Sequence, residues 1–328
     1  MQINLRDAKT GDAIFGFYAL AKCELIPFTG GVRLQLEFAD ASGKLAGIMW
    51  GDEAEATYPQ IRDAGVVKVK GLVSSYKGQQ QLNVEKIRAA KPEEYDVTEL
   101  LPASDYSPEE LEAGVEAVIE LVDDEALRQV LVEVLYDEQV KPRYFASPAG
   151  TRWHHGYLRG LAEHSLSMAR AAVKLCEHYD YLDRSLLIAG ALLHDVGKIS
   201  ELEFESTFEY STEGRLFGHM VIGYEMVRAT IVRLGLQDDV NVKKLLHMIL
   251  SHQGKKEYSA PVEPAFEEAF VLYFIDEMDS KLNAISRIRR KPENSGQAFS
   301  DWVPLLGTML YLERKPVSEE DDENSANS

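Results

Sequence analysis

The segment Leu192-Leu193-His194-Asp195-Val196-Gly197-Lys198 brings an imidazole, a carboxylate and an amine together directly behind an apolar run that starts at Leu186. The run predicts a buried helix over residues 183–195, and Gly197 favours the end of that helix. A buried histidine and aspartate are costly without hydrogen bonds or a metal ion. Together they can ligate one divalent ion, and the two oxygens of Asp195 can also bridge two ions. We therefore interpret this segment as the centre of a metal site.

Further histidine and aspartate residues fall at suggestive places in predicted helices, namely His164, His219, His252 and Asp276. Imidazole and carboxylate ligands on several helices can converge inside a helical bundle. Asp276 follows the apolar run Phe270–Ile275, where an ionised carboxylate needs partners. A single histidine in a helix is more often packed or exposed than a ligand, so we leave His178 and His247 out of the set.

The part of the chain from residue 107 onwards has helical periodicity. Ser107-Pro108 is a good helix start, with serine as the N-cap and proline at the first helical position. Further helices are predicted at residues 125–137, 157–178, 183–195, 218–234, 240–252 and 264–290. Residues 296–313 are interpreted as a short terminal helix.

Residues 1–92 have a different pattern, typical of strands. Val32–Phe38 alternates strictly between apolar and polar residues, as a half-buried strand does. Residues 12–24, 45–50, 66–76 and 80–89 complete a set of five predicted strands, with a turn at Lys77-Gly78 and a helix at residues 52–64. Five short strands with a helix before the fourth predict a closed barrel of the OB type.

The predicted fold class is therefore multidomain α+β, with a five-stranded OB-type barrel before an all-α domain. We predict the barrel at residues 1–92, a proline-containing acidic linker at 93–110 and the helical domain at 111–313. The acidic, Ser- and Asn-rich residues 314–328 are predicted to be a disordered tail.

Composition and charge limit the remaining possibilities. The two cysteines, Cys23 and Cys176, lie far apart in the sequence and predict neither a disulfide framework nor a cysteine-based zinc cluster. The start of the sequence shows no apolar signal core, and no apolar run reaches the length of about 18 residues that a membrane span needs. We therefore expect a cytoplasmic protein without membrane contact.

The net charge of −19 argues against a general nucleic-acid binder, because phosphate contacts need lysine and arginine. The charge is unevenly distributed, however. Residues 1–92 contain 12 Lys and Arg against 10 Asp and Glu, so the remainder of the chain carries −21. Global charge therefore does not exclude a nucleic-acid site on the barrel.

The order of the motifs resembles the HD superfamily of metal-dependent phosphohydrolases. The segment from Trp153 to His164 (Trp-His-His-Gly-Tyr-Leu-Arg-Gly-Leu-Ala-Glu-His) is similar to the YhaM family of 3′-to-5′ exoribonucleases, as are residues 216–219 and 249–254. That family also has an OB domain before its HD domain, and the resemblance covers about residues 1–312. Two positions depart from the family pattern: Gln253 replaces a histidine, and Arg159 replaces the first of two glycines.

The resemblance implies phosphodiester hydrolysis with two divalent ions, of which manganese is favoured and iron, cobalt or nickel would also suit the ligands. The first ion is expected on His164, His194, Asp195 and Asp276, and the second on Asp195, His219 and His252. Asp195 and Lys198 are expected to be catalytic, with the Lys198 ammonium on a nonbridging phosphate oxygen. Gln253 could weaken occupancy of the second position.

The expected substrate is single-stranded RNA, with DNA left open, degraded from the 3′ end to nucleoside 5′-monophosphates. Candidate barrel contacts are Arg33, Phe38, Trp50, Tyr76 and Lys77, although a place in the core is the favoured interpretation of Phe38 and Trp50. His154 and His155 could contact the scissile phosphate or the terminal nucleotide, or they could simply pack before the first ligand helix.

Two other functions remain open from the sequence. One is an HD-type nucleotide or cyclic-dinucleotide phosphohydrolase, although a small substrate would not need the accessory barrel. The other is a non-catalytic RNA-binding module with a structural metal site, against which Lys198 and the complete ligand set argue.

Overall fold

The computed structural model describes residues 3–96, 100–151, 154–204, 208–258, 260–291, 294 and 296–313. A closed five-stranded barrel comes first and a helical region follows, which confirms the predicted fold class. The barrel and the helices each enclose their own cluster of buried apolar side chains. The predicted tail at residues 314–328 lies outside the described residues, as do residues 97–99 of the predicted linker.

The barrel consists of the five predicted strands and one helix. They are β1 (Ala13–Phe28), β2 (Gly31–Ala39), β3 (Lys44–Trp50), α1 (Asp52–Ile61), β4 (Val66–Tyr76) and β5 (Gln79–Ala89). The strands close in the order β1, β2, β3, β5, β4. β3 and β5 pair in parallel, whereas the other neighbours are antiparallel.

The alternating sequence of β2 explains how the barrel is filled. Leu34, Leu36 and Phe38 point inward and are buried, while the residues between them are half-buried. Gly47 on β3 leaves room for this packing, because a Cβ there would lie 2.4 Å from the Phe38 ring. The two-residue turn between β4 and β5 has positive φ at both Lys77 and Gly78, as tight hairpins require.

The helical region contains α2 (Pro108–Ile119), α3 (Glu125–Leu135), α4 (Val140–Tyr144), α5 (Gly160–His178), α6 (Arg184–Leu193), α7 (Lys198–Glu201), α8 (Thr212–Leu234), α9 (Val240–Ser251) and α10 (Glu267–Arg290), with a short pair of strands, β6 (Leu202–Glu203) and β7 (Glu209–Tyr210). Side-chain oxygens cap several helix starts by accepting a backbone N–H, as at Ser107, Asp124, Asp183 and Asp239. Within the described ranges, no helix combines the length and the apolar character that a membrane crossing needs.

The predicted terminal helix at residues 296–313 is wrong. This segment forms an antiparallel hairpin of β8 (Phe299–Val303) and β9 (Thr308–Tyr311). Gly307 takes a left-handed φ of 63° in the turn, and the rings of Phe299 and Tyr311 meet across the strands at 5.3 Å. Aromatic and β-branched residues on both sides of a glycine turn favour strands over a helix.

One helix differs from its prediction in a way that affects the site. The predicted helix at residues 218–234 is the second part of α8, which begins at Thr212 and is interrupted at Gly218 by φ 71° and ψ 153°. The interruption makes His219 the first residue of the second helical segment. The direction of the His219 side chain therefore differs from the one that an uninterrupted helix from Thr212 would give it.

Candidate metal centre

The structure brings all six predicted metal ligands together in the helical region. They come from five separate places: His164 on α5, His194 and Asp195 directly after α6, His219 after the interruption of α8, His252 directly after α9, and Asp276 on α10. Sequence separations of up to about a hundred residues are closed by the packing of α5, α6, α9 and α10 around one apolar core. Asp276 is half-buried, and the other members of the set are buried.

Asp195 lies at the middle of this cluster, with each of its two carboxylate oxygens facing a different set of histidines. Its Oδ2 atom is 3.2 Å from Nε2 of His194 and 3.9 Å from Nε2 of His164. Its Oδ1 atom is 3.4 Å from Nε2 of His219 and 3.5 Å from Nε2 of His252. This geometry suits a carboxylate that bridges two cations.

Asp276 completes the half of the cluster around Oδ2. Its Oδ1 atom lies 3.3 Å from Nε2 of His164. It also groups with His194 and His252, with one ligand atom from each within 4.8 Å of the others. Asp276 therefore stands where a second carboxylate would join Asp195 on one ion.

Backbone carbonyls fix the orientation of two of the imidazoles. Nδ1 of His194 lies 2.9 Å from the carbonyl oxygen of Ala191, and Nδ1 of His252 lies 2.9 Å from that of Ile249. A carbonyl can only accept, so Nδ1 carries the proton in both residues. Nε2 is then left with a free lone pair that points into the cluster, as metal ligation requires.

Carboxylates hold the other two imidazoles in the same way. Nδ1 of His164 lies 2.7 Å from Oδ2 of Asp279, and Nδ1 of His219 lies 3.1 Å from Oε1 of Glu201. Ser167 donates its hydroxyl to the other oxygen of Asp279. Sequence reasoning missed Asp279 and Glu201. The available signal was spacing, since Asp279 follows Asp276 by three residues and so shares its helix face.

Several polar atoms at the centre are buried and have no hydrogen-bond partner: Nε2 of His164, Nε2 of His194, Oδ1 of Asp195 and Oδ1 of Asp276. Leaving such groups unpaired costs about 1–3 kcal/mol each, so native proteins satisfy nearly all of them. One or two divalent cations would satisfy all four. The mixed nitrogen and oxygen donors, in these tautomers, therefore fit divalent transition metals.

The two aspartates of the cluster are held in their ionised form. Burial by itself would raise the pKa of Asp195, but Lys198 and His194 outweigh it and hold that pKa well below its usual range. Burial acts on Asp276 in the same direction, and the nearby imidazole of His164 more than offsets this and lowers the pKa of Asp276. Both carboxylates can therefore act as anionic ligands at neutral pH.

Burial and neighbouring charge act differently on two of the histidines. Burial, together with His194, lowers the pKa of His252 to about 3. Burial also disfavours the charged form of His164, but the nearby carboxylates of Asp276 and Asp279 prevail and raise its pKa to about 9. His252 is thus ready to ligate, whereas a cation would take the place of the His164 proton that lies nearest Asp276.

Lys198 lies inside the cluster, with Nζ 2.6 Å from Oδ2 of Asp195. Close packing of α7 against α8 puts it there: a Cβ on Gly197 would lie 2.0 Å from the carbonyl oxygen of His219. Only glycine permits this approach. The expected role of Gly197 in ending α6 is wrong, because α6 already ends at Leu193 and Gly197 precedes α7 with an ordinary φ of −64°; its role is in packing. Lys198 is buried, with 8% of the residue exposed, and it lines the cavity described below.

His154 and His155 are separated by the structure. Nε2 of His154 lies 3.5 Å from Oδ2 of Asp195 and 3.9 Å from Oδ1 of Asp276, so this imidazole faces the cluster. Burial and the charge of Lys198 lower its pKa to about 4. His155 is buried, with Nε2 3.5 Å from Oδ2 of Asp279 on the far side of His164. Both residues have positive φ, 58° and 55°, a strained backbone often found at functional sites.

A cavity of about 460 Å³ opens over the cluster. Its lining includes His154, Asp195, Lys198, His219, His252 and Asp276, together with Tyr210, Gln253, Tyr273, Glu277 and Ser280. The volume is within the range of about 300–1,000 Å³ that small-molecule sites occupy.

The two departures from the family pattern have distinct structural consequences. Nε2 of Gln253 lies 3.4 Å from Nε2 of His219, so an amide stands beside the second predicted metal position. Arg159 has a left-handed φ of 66°, which explains why glycine suits this position. The Arg159 guanidinium donates to the carbonyl oxygens of Tyr106 and Ser104, so it ties the start of α5 to the segment before α2.

The predicted barrel contacts form two pairs, each of an aromatic ring and a cation. Trp50 is 52% exposed, and the Arg33 guanidinium lies over its ring at 5.8 Å. Tyr76 is 63% exposed, with Nζ of Lys77 5.5 Å from its ring centre. Phe38, by contrast, is fully buried and belongs to the core. The favoured core role is therefore confirmed for Phe38 and wrong for Trp50.

Comparison with known proteins agrees with this geometry. Residues 161–281 match the family model of the HD domain, a range that contains all six predicted ligands. The chain is 32% identical over 326 residues to the 3′-5′ exoribonuclease YhaM of Shouchella clausii, covering 97% of this chain and 99% of that protein. It is 31% identical over 294 residues to the YhaM exoribonuclease of Geobacillus sp., covering 87% and 90%.

Among solved structures, the second OB-fold domain of replication protein A from Methanococcus maripaludis is similar to 28% of this chain and 96% of its own. Its sequence identity of 13% and TM-score of 0.24 are too low to bear on the site.

The helical fold and its cluster of histidines and aspartates define an HD-type metal-dependent phosphohydrolase with an N-terminal barrel. Within that class, the identity and coverage of its relatives show that the chain belongs to the YhaM family of 3′-5′ exoribonucleases.

Proposed function

We propose that this chain is a metal-dependent 3′-to-5′ exoribonuclease that releases nucleoside 5′-monophosphates from single-stranded RNA. The observation that carries the proposal is the position of Asp195, whose two oxygens face two separate histidine pairs within one cavity. Membership of the YhaM family over nearly the whole chain supplies the substrate class and the direction.

We assign two divalent ions to the cluster, with manganese as the preferred metal. His164, His194, Asp195 and Asp276 would hold the first ion, and Asp195, His219 and His252 the second. When bound, such ions make hydroxide available near neutral pH and offset negative charge on a reacting phosphate. The four imidazoles would supply their Nε2 lone pairs, because their Nδ1 atoms are engaged elsewhere.

The remaining residues of the cavity would position the scissile phosphate. The Lys198 ammonium adds a positive charge next to Asp195, where it can contact a nonbridging phosphate oxygen. His154 faces the same place with a neutral imidazole, and it can donate or accept a hydrogen bond there. His155 lies outside the lining of this cavity, and its contribution would be to support His164 and Asp279.

The barrel would hold the strand upstream of its 3′ end. Exposed Trp50 and Tyr76 offer stacking surfaces, and Arg33 and Lys77 beside them suit the phosphate backbone. Stacking and phosphate contacts do not read the sugar, so we expect some activity on single-stranded DNA. We also propose the domain limits of 1–92 for the barrel and 111–313 for the helical domain.

A timed digestion of end-labelled substrates tests the proposal. Purified protein with manganese is incubated with 5′-labelled single-stranded RNA, with the matching DNA and with a panel of nucleotides and cyclic dinucleotides. A ladder that shortens from the 3′ end is expected. Internal cuts would contradict the exonuclease assignment, and turnover confined to the small nucleotides would favour a nucleotide phosphohydrolase.

Matched variants connect the activity to the cluster. His252→Ala should abolish the ladder, because it removes a ligand atom of the proposed second ion. His178→Ala is the control, since His178 is an exposed residue near the end of α5 and lies away from the cluster. Equal loss in both variants would show that the effect is not specific to the metal centre.

A further inference from the structure

Six side chains on β1, β4 and β5 form a regular grid on the outside of the barrel. The strand register places Phe17, Lys68 and Arg88 in one row across the three strands, and Phe15, Lys70 and Lys86 in the next. Strand residues two apart share a face, so the grid lies on one side of the sheet. We call this surface the β1–β4–β5 face.

The aromatic and charged members of this face are in contact. Nζ of Lys68 lies 5.1 Å from the ring centre of Phe15 and 4.8 Å from that of Phe17. Phe15 is 63% exposed although its neighbours on β1, Ile14 and Gly16, are buried. A phenylalanine that remains exposed beside a lysine offers a flat surface for stacking next to a cation.

The charge of the face is only partly neutralised. Nζ of Lys70 lies 2.8 Å from Glu85, and Arg88 forms a two-pronged pair with Glu94. No salt bridge of Lys68 or Lys86 occurs among the residues that the structure describes. The Lys70–Glu85 pair is half-exposed at both ends, so an incoming anion can compete for the lysine.

A groove of about 540 Å³ runs along this face. Residues of the three strands line one side, including Phe15, Lys68, Lys70 and Lys86, and Glu53, Ala56 and Thr57 of α1 line the other. Its volume falls within the range of about 300–1,000 Å³ that is usual for small-ligand sites. The groove is therefore large enough to take a base or a sugar-phosphate unit beside Phe15.

We propose that the β1–β4–β5 face is a second binding surface for the single-stranded nucleic-acid substrate, separate from the Arg33–Trp50 and Lys77–Tyr76 pairs. Lys68, Lys70 and Lys86 contact phosphates, and Phe15 stacks on a base. A polyanion is favoured because lysines gather here on a chain whose net charge is −19. The alternation of cations with an exposed ring favours a nucleic acid over an acidic protein. The inference rests on the proposed function, because it concerns the same substrate.

The test compares binding and cleavage in the full-length protein. Lys68→Gln/Lys86→Gln removes the two lysines of the grid that form no salt bridge with any described residue, and Phe15→Ala removes the exposed ring. Lys9→Gln/Lys44→Gln is the matched control, because it removes two exposed barrel lysines outside the grid. The ligand is a single-stranded RNA several times longer than the site of about 4–16 nucleotides that one OB fold covers. Its affinity is measured in EDTA over a range of salt concentrations.

Each variant should give its own signature. Loss of two phosphate contacts should reduce the slope of log affinity against log salt by about 1.4, at about 0.7 per contact on a single strand. Phe15→Ala should weaken binding by about tenfold with little change in slope, because stacking is uncharged. The control double variant should keep the wild-type affinity. In manganese, all variants should cleave a dinucleotide at the wild-type rate, since no described residue of the barrel lines the cavity over the metal cluster.

The outcomes separate this inference from the proposed function. Wild-type affinity and slope in Lys68→Gln/Lys86→Gln, with binding lost in Trp50→Ala, would overturn it and leave the strand on the other surface. An equal loss in the control variant would also overturn it, because the effect would then be one of general charge. If the wild-type protein cleaves no RNA at all, the proposed function itself fails. A thermal melt of each variant excludes unfolding as the cause.

Discussion

The carboxylate of Asp279 offers the most informative single change, because it acts on the metal centre only through His164. Its Oδ2 atom accepts a hydrogen bond from Nδ1 of His164 at 2.7 Å, and its other oxygen accepts the Ser167 hydroxyl. Asp279→Asn keeps the size of the side chain but removes its charge. The imidazole then becomes a weaker donor of its Nε2 lone pair and is less firmly oriented.

Changes of this kind usually reduce metal affinity or activity by about 10- to 100-fold. That corresponds to about 1.4–2.7 kcal/mol of binding free energy. The short distance and the burial of His164 place the expected effect of Asp279→Asn in this range. Manganese affinity measured by calorimetry should fall accordingly, and excess manganese should restore part of the exonuclease rate.

Glu267→Gln is a suitable control, because Glu267 is an exposed carboxylate in the first turn of the same helix. It should bind manganese as the wild type does. If Asp279→Asn also retains wild-type manganese affinity and rate, the idea that this carboxylate orients His164 is refuted. A loss that excess manganese does not restore would indicate a structural defect instead, which a thermal melt would detect.

Three further changes have expected outcomes. Gly197→Ala puts a Cβ 2.0 Å from the carbonyl oxygen of His219, so it should cost about 1–3 kcal/mol of stability, seen as a lower melting temperature; an unchanged melting temperature would contradict the packing role. Gln253→His places an imidazole next to His219, so calorimetry should show tighter binding of the second manganese ion. Unaltered affinity would mean that a side chain at this position does not reach the metal. Phe38→Ala should lower the free energy of unfolding by about 3–5 kcal/mol because the ring is fully buried. Trp50→Ala should leave stability nearly unchanged and weaken RNA binding. Equal melting temperatures of the two variants would contradict the assignment of Phe38 to the core and Trp50 to the surface.

The barrel and the main helices could be predicted because their periodicities are long and regular. The strict alternation of Val32–Phe38 identified a strand, and its inward residues are those that fill the barrel. The terminal hairpin at Phe299–Tyr311 cannot be distinguished from a helix by periodicity, because short apolar runs fit both periods. Its glycine turn at Gly307 was the local signal that favours strands.

The metal ligands could be predicted because burying a charge without a partner is costly, which makes Asp195 and Asp276 conspicuous in apolar sequence. Asp279 and Glu201 could not be identified in the same way. Each acts through a histidine on another helix, and that pairing depends on tertiary packing. The positive φ values of His154 and His155 likewise depend on the loop as a whole and leave no mark in composition.

The surface of the barrel shows a further limit of sequence reasoning. The sequence singled out Trp50 and Tyr76 as candidate stacking residues on the predicted strands. It could not reveal the grid of Phe15, Lys68 and Lys86, because these residues are brought together only by the pairing of β1 and β5 with β4.

The central claim is that Asp195 bridges two divalent ions between two sets of histidines. Anomalous diffraction at the manganese edge, from crystals of the full-length protein loaded with manganese, tests it most directly. The account predicts two peaks, one on each side of the Asp195 carboxylate, the first beside His164, His194 and Asp276 and the second beside His219 and His252. A single peak, or peaks away from these residues, would contradict it.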